Sequence, residues 1–243
     1  MLDIRNLEDF HYSQNSLNTF KQCPLKFKLK YMDNINFKKD EEGYYENIET
    51  GLNFHLLCNR YFLGIDTSIG EHTKDKEKLE IWVKSLKSNI PINKDYTYLS
   101  EYTIRMAKDH MRLQANYDLI ILKEDTIEIW DFKTESRKPI YRDLEKRIQT
   151  VVYMYVLMEN LNLVGKHIQI SNLKMIYYNP QYEDHLIEIN YDEFKHEENY
   201  KNIKYIIDRI NEYDFQGEFN KSLYGKYCNY CEFERICEDK SEF

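Results

Sequence analysis

The most concentrated apolar pattern lies at residues 117–134, YDLIILKEDTIEIWDFKT. Residues 118–122 and 126–132 are rich in β-branched and aromatic side chains, and Lys123, Glu124 and Asp125 make a polar break of hairpin length between them. The pattern predicts a β-hairpin. Its outer ends meet, so Asp118 faces Asp131 and Lys133, and the latter two project from one face of their strand. Upstream the pattern is helical. Ser13 or Ser16 caps a helix carrying Leu17 and Phe20, and Pro24 starts a second piece, with Phe27 and Tyr31, or kinks the first. A helix over about 49–62 places Leu52, His55, Leu56 and Asn59 on one side. An amphipathic helix over 76–87 carries Leu79, Trp82, Val83 and Leu86 and ends before Pro91. Residues 1–12 read as an irregular lead-in, 33–47 as a charged connector and 64–74 as a loop. Residues 96–107 form the first strand, with Glu101 on a sheet face, and 110–115 extend or pair into the hairpin.

Downstream, a loop at 136–139 leads into a long helix from about Asp143 to Asn160. This helix is apolar at nearly every turn, which packs it against the sheet. A strand over 168–178, an antiparallel partner over 185–190 and an amphipathic helix over 194–213 follow. This order predicts an α/β fold, with a mixed central sheet flanked by helices and a parallel crossover through the long helix. The 243 residues read as one domain, with a helical segment at 1–90, a core at 96–214 and a tail at 215–243.

Composition narrows this picture. A hydrophobic fraction of 42% with 15% aromatic supports a real core. No apolar run approaches the roughly 18–20 residues of a membrane span. The first residues lack the basic start and apolar centre of a signal peptide, so the expected location is the cytoplasm. A net charge of −8 argues against an all-over basic nucleic-acid coat but leaves room for a basic groove. In a cytosolic chain, five cysteines read as ligands before they read as disulfides.

Two carboxylates at one sheet end offer the hard oxygen ligands that Mg²⁺ or Mn²⁺ prefers and leave positions for water and a phosphate. Such an ion polarises a phosphoryl oxygen and acidifies bound water, and the ammonium of Lys133 stabilises the charge that builds up. Asp-x-Lys at a hairpin end is also an ordinary surface salt bridge. Glu101 reads equally as a further acidic neighbour or as a strand-surface carboxylate.

Asp118 followed by Asp131-Phe132-Lys133 resembles the core of the PD-(D/E)XK nuclease superfamily. Gln149-Thr150-Val151-Val152-Tyr153 resembles the Gln-x-x-x-Tyr motif of its RecB-like branch. Gly51-x-x-x-His55 resembles that branch's helical histidine, and residues 13–31, with the Cys23-Pro24 step, its N-terminal motif. Together these elements span almost the whole chain in the expected order. The resemblance implies a restriction-endonuclease-like fold and a metal held by His55, Asp118, Asp131 and the backbone carbonyl of Phe132. It implies that Lys133 orients or deprotonates the attacking water, and that Gln149 and Tyr153 contact DNA and support the lysine. An imidazole among the ligands tilts the preference towards Mn²⁺ over Mg²⁺. Lys146 and Arg147 read as phosphate contacts or as solvated charges.

Cys228-x2-Cys231-x5-Cys237 ends the chain, about two hundred residues after Cys23. This one-plus-three pattern is similar to the iron–sulfur nucleases of the RecB-like branch, the CRISPR-associated RecB-like exonucleases and AddB-type nuclease domains. Four thiolates hold a 4Fe–4S cluster or a tetrahedral zinc, and either joins the first helix to the tail. Cys58 stands outside the pattern as a buried structural cysteine. The resemblance as a whole implies a metal-dependent DNA exonuclease acting on single-stranded ends. Its setting would be CRISPR adaptation, DNA repair or phage recombination, alongside CRISPR adaptation proteins or a helicase. The competing expectation is an inactive, cluster-stabilised DNA-binding subunit of a larger complex.

Overall fold

A computed structural model describes residues 3–7, 9–35, 44–182, 186–221 and 224–239. Its strands are β1 (Tyr12–Ser13), β2 (Thr97–Lys108), β3 (Met111–Leu122), β4 (Ile127–Phe132), β5 (Leu173–Tyr178) and β6 (Leu186–Asn190). Its helices are α1 (Gln14–Gln22), α2 (Pro24–Phe27), α3 (Tyr44–Phe62), α4 (Lys76–Asn89), α5 (Tyr141–Glu145), α6 (Ile148–Glu159), α7 (Glu193–Glu212) and α8 (Glu234–Asp239).

All six strands join one mixed sheet, as the sequence pattern predicts. β3 is its hub. β2 runs antiparallel along one edge of β3. On the other edge β1 lies parallel beside Leu113 and Gln114, and β4 antiparallel beside Leu119–Leu122. β5 adds parallel to β4, and β6 antiparallel to β5. The first strand of the predicted hairpin is therefore the second half of a longer strand, β3. Its first half alternates Met111, Leu113 and Ala115 inward with Arg112, Gln114 and Asn116 outward.

Besides the start of α3 at Tyr44, inside the predicted connector, four features differ from the sequence reading, each for a local reason. The lead-in contains β1, whose two residues are too few to give a period. Residues 168–172 stay outside β5 because Ile170–Asn172 turn as a 3-10 helix. The long helix is broken in two at Arg147, whose backbone is extended at φ −62° and ψ 137°. The break is satisfied locally, since the Thr150 hydroxyl donates to the Leu144 carbonyl at 2.6 Å and Arg147 pairs with Glu135 at 3.3 Å. Finally, α3 buries Phe54, Leu57, Cys58 and Phe62, and leaves Leu52 and Leu56 exposed. The side of that helix read from the sequence is its open side. The start of the predicted 185–190 strand and residues 36–43 of the predicted connector lie outside the described residues.

Two layers cover the sheet. On one face α1, α6 and α7 pack against Leu113, Ala115, Tyr117, Ile120, Ile129, Met175 and Tyr177. On the other, α3 and α4 pack against Leu119, Ile121, Trp130, Phe132, Ile176 and Tyr178. Along β3 the first layer is met by odd-numbered residues up to Tyr117 and by even-numbered residues from Ile120. A regular strand keeps one parity per face, so the strand turns over at Asp118. β2 does the same, with Ile104 and Met106 facing the first layer before the crossover and Leu99 beyond it. Between the pairs Ser100–Leu119 and Tyr102–Tyr117, Glu101 lies across from Asp118 with a left-handed φ of 50°. Among the described residues, no helix is long and apolar enough to cross a membrane.

Candidate metal centre and cysteine pocket

The turnover point gathers the acidic residues. Counting across the sheet, Glu101 stands opposite Asp118, and Asp118 opposite Asp131 one step past the Leu119–Trp130 pair. Three carboxylates thus form a row over β2, β3 and β4. α3 is laid over the row by Phe132, whose ring stacks on Phe62 at 6.3 Å and meets Phe54 edge-on at 6.3 Å. Gly51 lets the helix come this close, because a Cβ there would stand 2.8 Å from Thr134 Oγ1. One turn on, His55 Nδ1 lies 3.4 Å from Asp118 Oδ1. The ligand atoms of His55, Glu101 and Asp118 all lie within 4.8 Å of one another.

Asp118 and Asp131 are held differently. Asp118 Oδ2 accepts a bond from the Phe132 backbone N–H at 2.8 Å, and the side chain keeps some exposure. Asp131 is only 1% exposed. Its Oδ1 accepts from Gln149 Nε2 at 2.6 Å, and its Oδ2 faces Lys133 Nζ at 2.5 Å. Lys133 donates to Gln149 Oε1 at 3.1 Å and lies over the Tyr177 ring. Gln149 therefore bridges the carboxylate and the ammonium from the first turn of α6. The helix break at Arg147 is what lets α6 begin here. Tyr153, one turn further, is buried, with its ring against Tyr117 at 4.9 Å and its carbonyl accepting the Tyr117 hydroxyl at 2.9 Å.

Burial pushes the Asp131 carboxyl up to about 6, with Lys133 pulling against it and Asp118 adding to it. Burial likewise raises Glu101, and Asp118 raises it further. For His55 burial works downward, but its hydrogen bond and attraction to Asp118 prevail and hold it above its ordinary value. Burial leads for the two carboxyls, and the contributions of Asp118 to all three shifts reflect the negative charge gathered here. Hard oxygens and one imidazole in that state fit a divalent cation.

Of the residues read from the sequence, His55, Asp118, Asp131, Lys133, Gln149 and Phe132 converge here, and Tyr153 supports them from the core. Glu101 was left between two readings, and the structure places it in the row. One signal could have found it. Asp109 and His110, both with positive φ, form the tight turn between β2 and β3. Counting outward from that turn sets residue 101 against residue 118.

The cysteines lie elsewhere. Cys23 ends α1 and caps α2, where its Sγ accepts from the Lys26 N–H at 3.3 Å. It shares a pocket with Cys228, Cys231 and Cys237, walled by Leu29, Phe219 and Phe233. Glu232 pairs with Lys26 at 2.6 Å and with Lys30 at 3.7 Å, which ties the tail to the first helices. Burial raises the thiols of Cys23 and Cys237, and the neighbouring cysteines raise them further. A positive group shared among the four would relieve this, and an all-sulfur donor set suits iron–sulfur or zinc. Cys58 is 1% exposed among the side chains under α3.

A crystal structure of a "Putative exonuclease" from Eubacterium rectale superposes with a TM-score of 0.58 at 12% identity, over 97% of this chain and 93% of that one. A second crystal structure, of SSO0001, reaches a TM-score of only 0.38 at 13% identity, over 88% and 93% of the two chains, a likeness too loose to carry an argument. No curated protein matches the chain significantly. The family model described as the PD-(D/E)XK nuclease superfamily matches residues 11–238, from β1 through the last cysteine. With that match over nearly its whole length, the chain belongs to the PD-(D/E)XK nuclease superfamily.

Proposed function

We propose that the chain is a metal-dependent deoxyribonuclease that trims single-stranded DNA ends and carries a 4Fe–4S cluster as a structural group. The observation behind the first part is the convergence of Asp118, Asp131 and Lys133 under His55, with Gln149 bonded to both members of the Asp131–Lys133 pair. His55, Glu101, Asp118, Asp131 and the Phe132 carbonyl would hold Mg²⁺ or Mn²⁺. When bound, the ion polarises a phosphate oxygen and acidifies a water.

Hydrolysis adds a water oxygen to phosphorus and breaks the bond to one sugar oxygen, so one proton leaves the water and another reaches the leaving oxygen. Lys133 is fixed by Asp131 and Gln149, and its ammonium faces the charge that develops on the phosphate. Asp131 and Gln149 hold it in place before substrate arrives, which spares reorganisation during the reaction. Past the site, the exposed run Arg137, Lys138 and Arg142 supplies phosphate contacts that position a strand.

The shared pocket and the one-plus-three spacing support the cluster. Four thiolates lining one pocket are the donor set of a 4Fe–4S cluster, and the same set would serve zinc. The same spacing supports a role in CRISPR adaptation or DNA repair, with a helicase or adaptation proteins as partners. The test is incubation of end-labelled single-stranded DNA, duplex DNA and RNA with Mn²⁺, Mg²⁺ or EDTA, beside visible absorbance and iron analysis of anaerobically purified protein. Divalent-dependent shortening of single-stranded DNA and stoichiometric iron are expected. Metal-dependent DNA binding without cleavage would make the chain an inactive subunit, and stoichiometric zinc without iron would replace the cluster.

A further inference from the structure

α3 has two apolar sides. One is buried under the sheet. The other carries Ile48, Leu52 and Leu56, at intervals of four residues, and they are 39%, 65% and 54% exposed. Isolated exposed leucines are ordinary, but an exposed row on one helix is not. At the helical rise the row runs roughly 12 Å. It is continuous with the metal centre, because Ile48 and Leu52 line the same open cleft as His55, Glu101 and Asp118. Thr134 and Glu135 complete the lining of that cleft, and from them the chain leaves into the exposed basic run of Arg137, Lys138 and Arg142. The cleft thus has hydrocarbon beside its ligands, and cations on the segment that leads away from it.

We propose that Ile48, Leu52 and Leu56 form a rest for the unpaired bases beside the scissile phosphate, and that this row is what selects a single strand. The proposal rests on the nuclease reading of the same site and adds the residues that read strandedness. A duplex hides its base faces in the stack and presents phosphates and sugar to a surface of this kind. A single strand exposes those faces, and every base has one, so apolar contact is available without sequence preference. Covering base and leucine together removes apolar area from water. The basic run that follows Glu135 takes the backbone as it leaves the cleft, so the strand lies with its bases on the α3 row and its scissile phosphate at the metal centre. A duplex of the same sequence gains the phosphate contacts alone.

The experiment pairs a protein change with a substrate change. The double variant Leu52→Gln, Leu56→Gln keeps helix propensity and chain length at exposed positions, and its melting temperature and sedimentation are checked against wild type. Fluorescent single strands, intact or abasic at the three terminal nucleotides, are bound in EDTA and cleaved in Mn²⁺. For wild type, loss of the bases is expected to raise Kd and KM about fivefold, the lower end of what a base stacked on an aromatic ring contributes. For the double variant the same loss is expected to matter less than about twofold, since the partner of the bases is already gone. An equal abasic penalty in both proteins overturns the proposal. So does a variant that changes its sedimentation and keeps the abasic penalty, because the row would then be a contact between copies of the chain. Cleavage by wild type in Mn²⁺ is the separate check on the nuclease reading, and the penalty measured in EDTA is scored without it.

Discussion

The metal centre and the cysteine pocket are both clusters of ligands, and they are built in opposite ways. The carboxylate row sits on three neighbouring strands of the sheet, and its two aspartates are fixed by bonds that exist without a metal. Asp118 is held by the Phe132 N–H, and Asp131 by Gln149 and Lys133. The cysteine pocket joins α2, of four residues, to a 3-10 turn and α8, of six. Pieces that short have little core of their own. Phe215 anchors the start of the tail against Phe20 and Phe27, and around the cysteines the Glu232 pairs and buried Phe233 tie it down. The first cluster is organised by the fold and waits for an ion. Under the proposed reading the second would organise the tail around a bound group, so that ligand affinity would become folding energy.

Substitutions separate the two. Asp118→Asn or Asp131→Asn is expected to lower Mn²⁺-dependent cleavage by at least about 100-fold, the upper end of what even an outer-sphere change costs. The melting temperature of these variants should stay close to that of wild type, and calorimetry beside a cleavage assay checks both. A variant that cleaved normally would break the assignment of the row. Cys23→Ser is expected to give the reverse profile, with the bound group lost, the melting temperature lowered by several degrees and the tail opened to protease. Limited proteolysis with mass analysis reads this out. If Cys23→Ser keeps its metal and its melting temperature, the two regions are not built differently.

The comparison sharpens with pH. Asp131 keeps its proton up to about 6, and His55 also holds its proton above its ordinary range. A metal must displace both, so the sign is the same for each and affinity rises with pH. Below about pH 6, calorimetric Mn²⁺ affinity should fall about tenfold per unit for each proton displaced. Affinity constant between pH 5 and 7 would contradict proton competition at Asp131 and His55.

The smallest effect expected is at Glu101. A non-glycine residue at φ 50° is strained by about 1–2 kcal/mol. Glu101→Gly relieves that strain and removes one carboxylate from the row, so the metal-free protein should gain about 1 kcal/mol in denaturant unfolding once the extra chain entropy of glycine is subtracted. It should lose Mn²⁺ affinity at the same time. Opposite signs of stability and binding are what a strained functional position predicts. A variant that loses stability would make Glu101 a structural residue.

Much of this was legible in the sequence. The hairpin period placed Asp118 against Asp131, and Pro24 and the Ser13 cap marked the first helices as they occur. What escaped was set by tertiary contacts. The open and buried sides of α3 both carry apolar residues, so periodicity alone could not say which side meets the sheet. The break at Arg147 depends on partners at Glu135 and Thr150 that no local signal announces. Glu101 reaches the row only because two strands turn over together, and strand alternation assumes that they do not.

The most direct test of the metal centre is manganese anomalous scattering from crystals grown with Mn²⁺. The account predicts a peak bounded by His55, Glu101 and Asp118 and within reach of Asp131 and the Phe132 carbonyl. A peak elsewhere, with these side chains still paired among themselves, would contradict it.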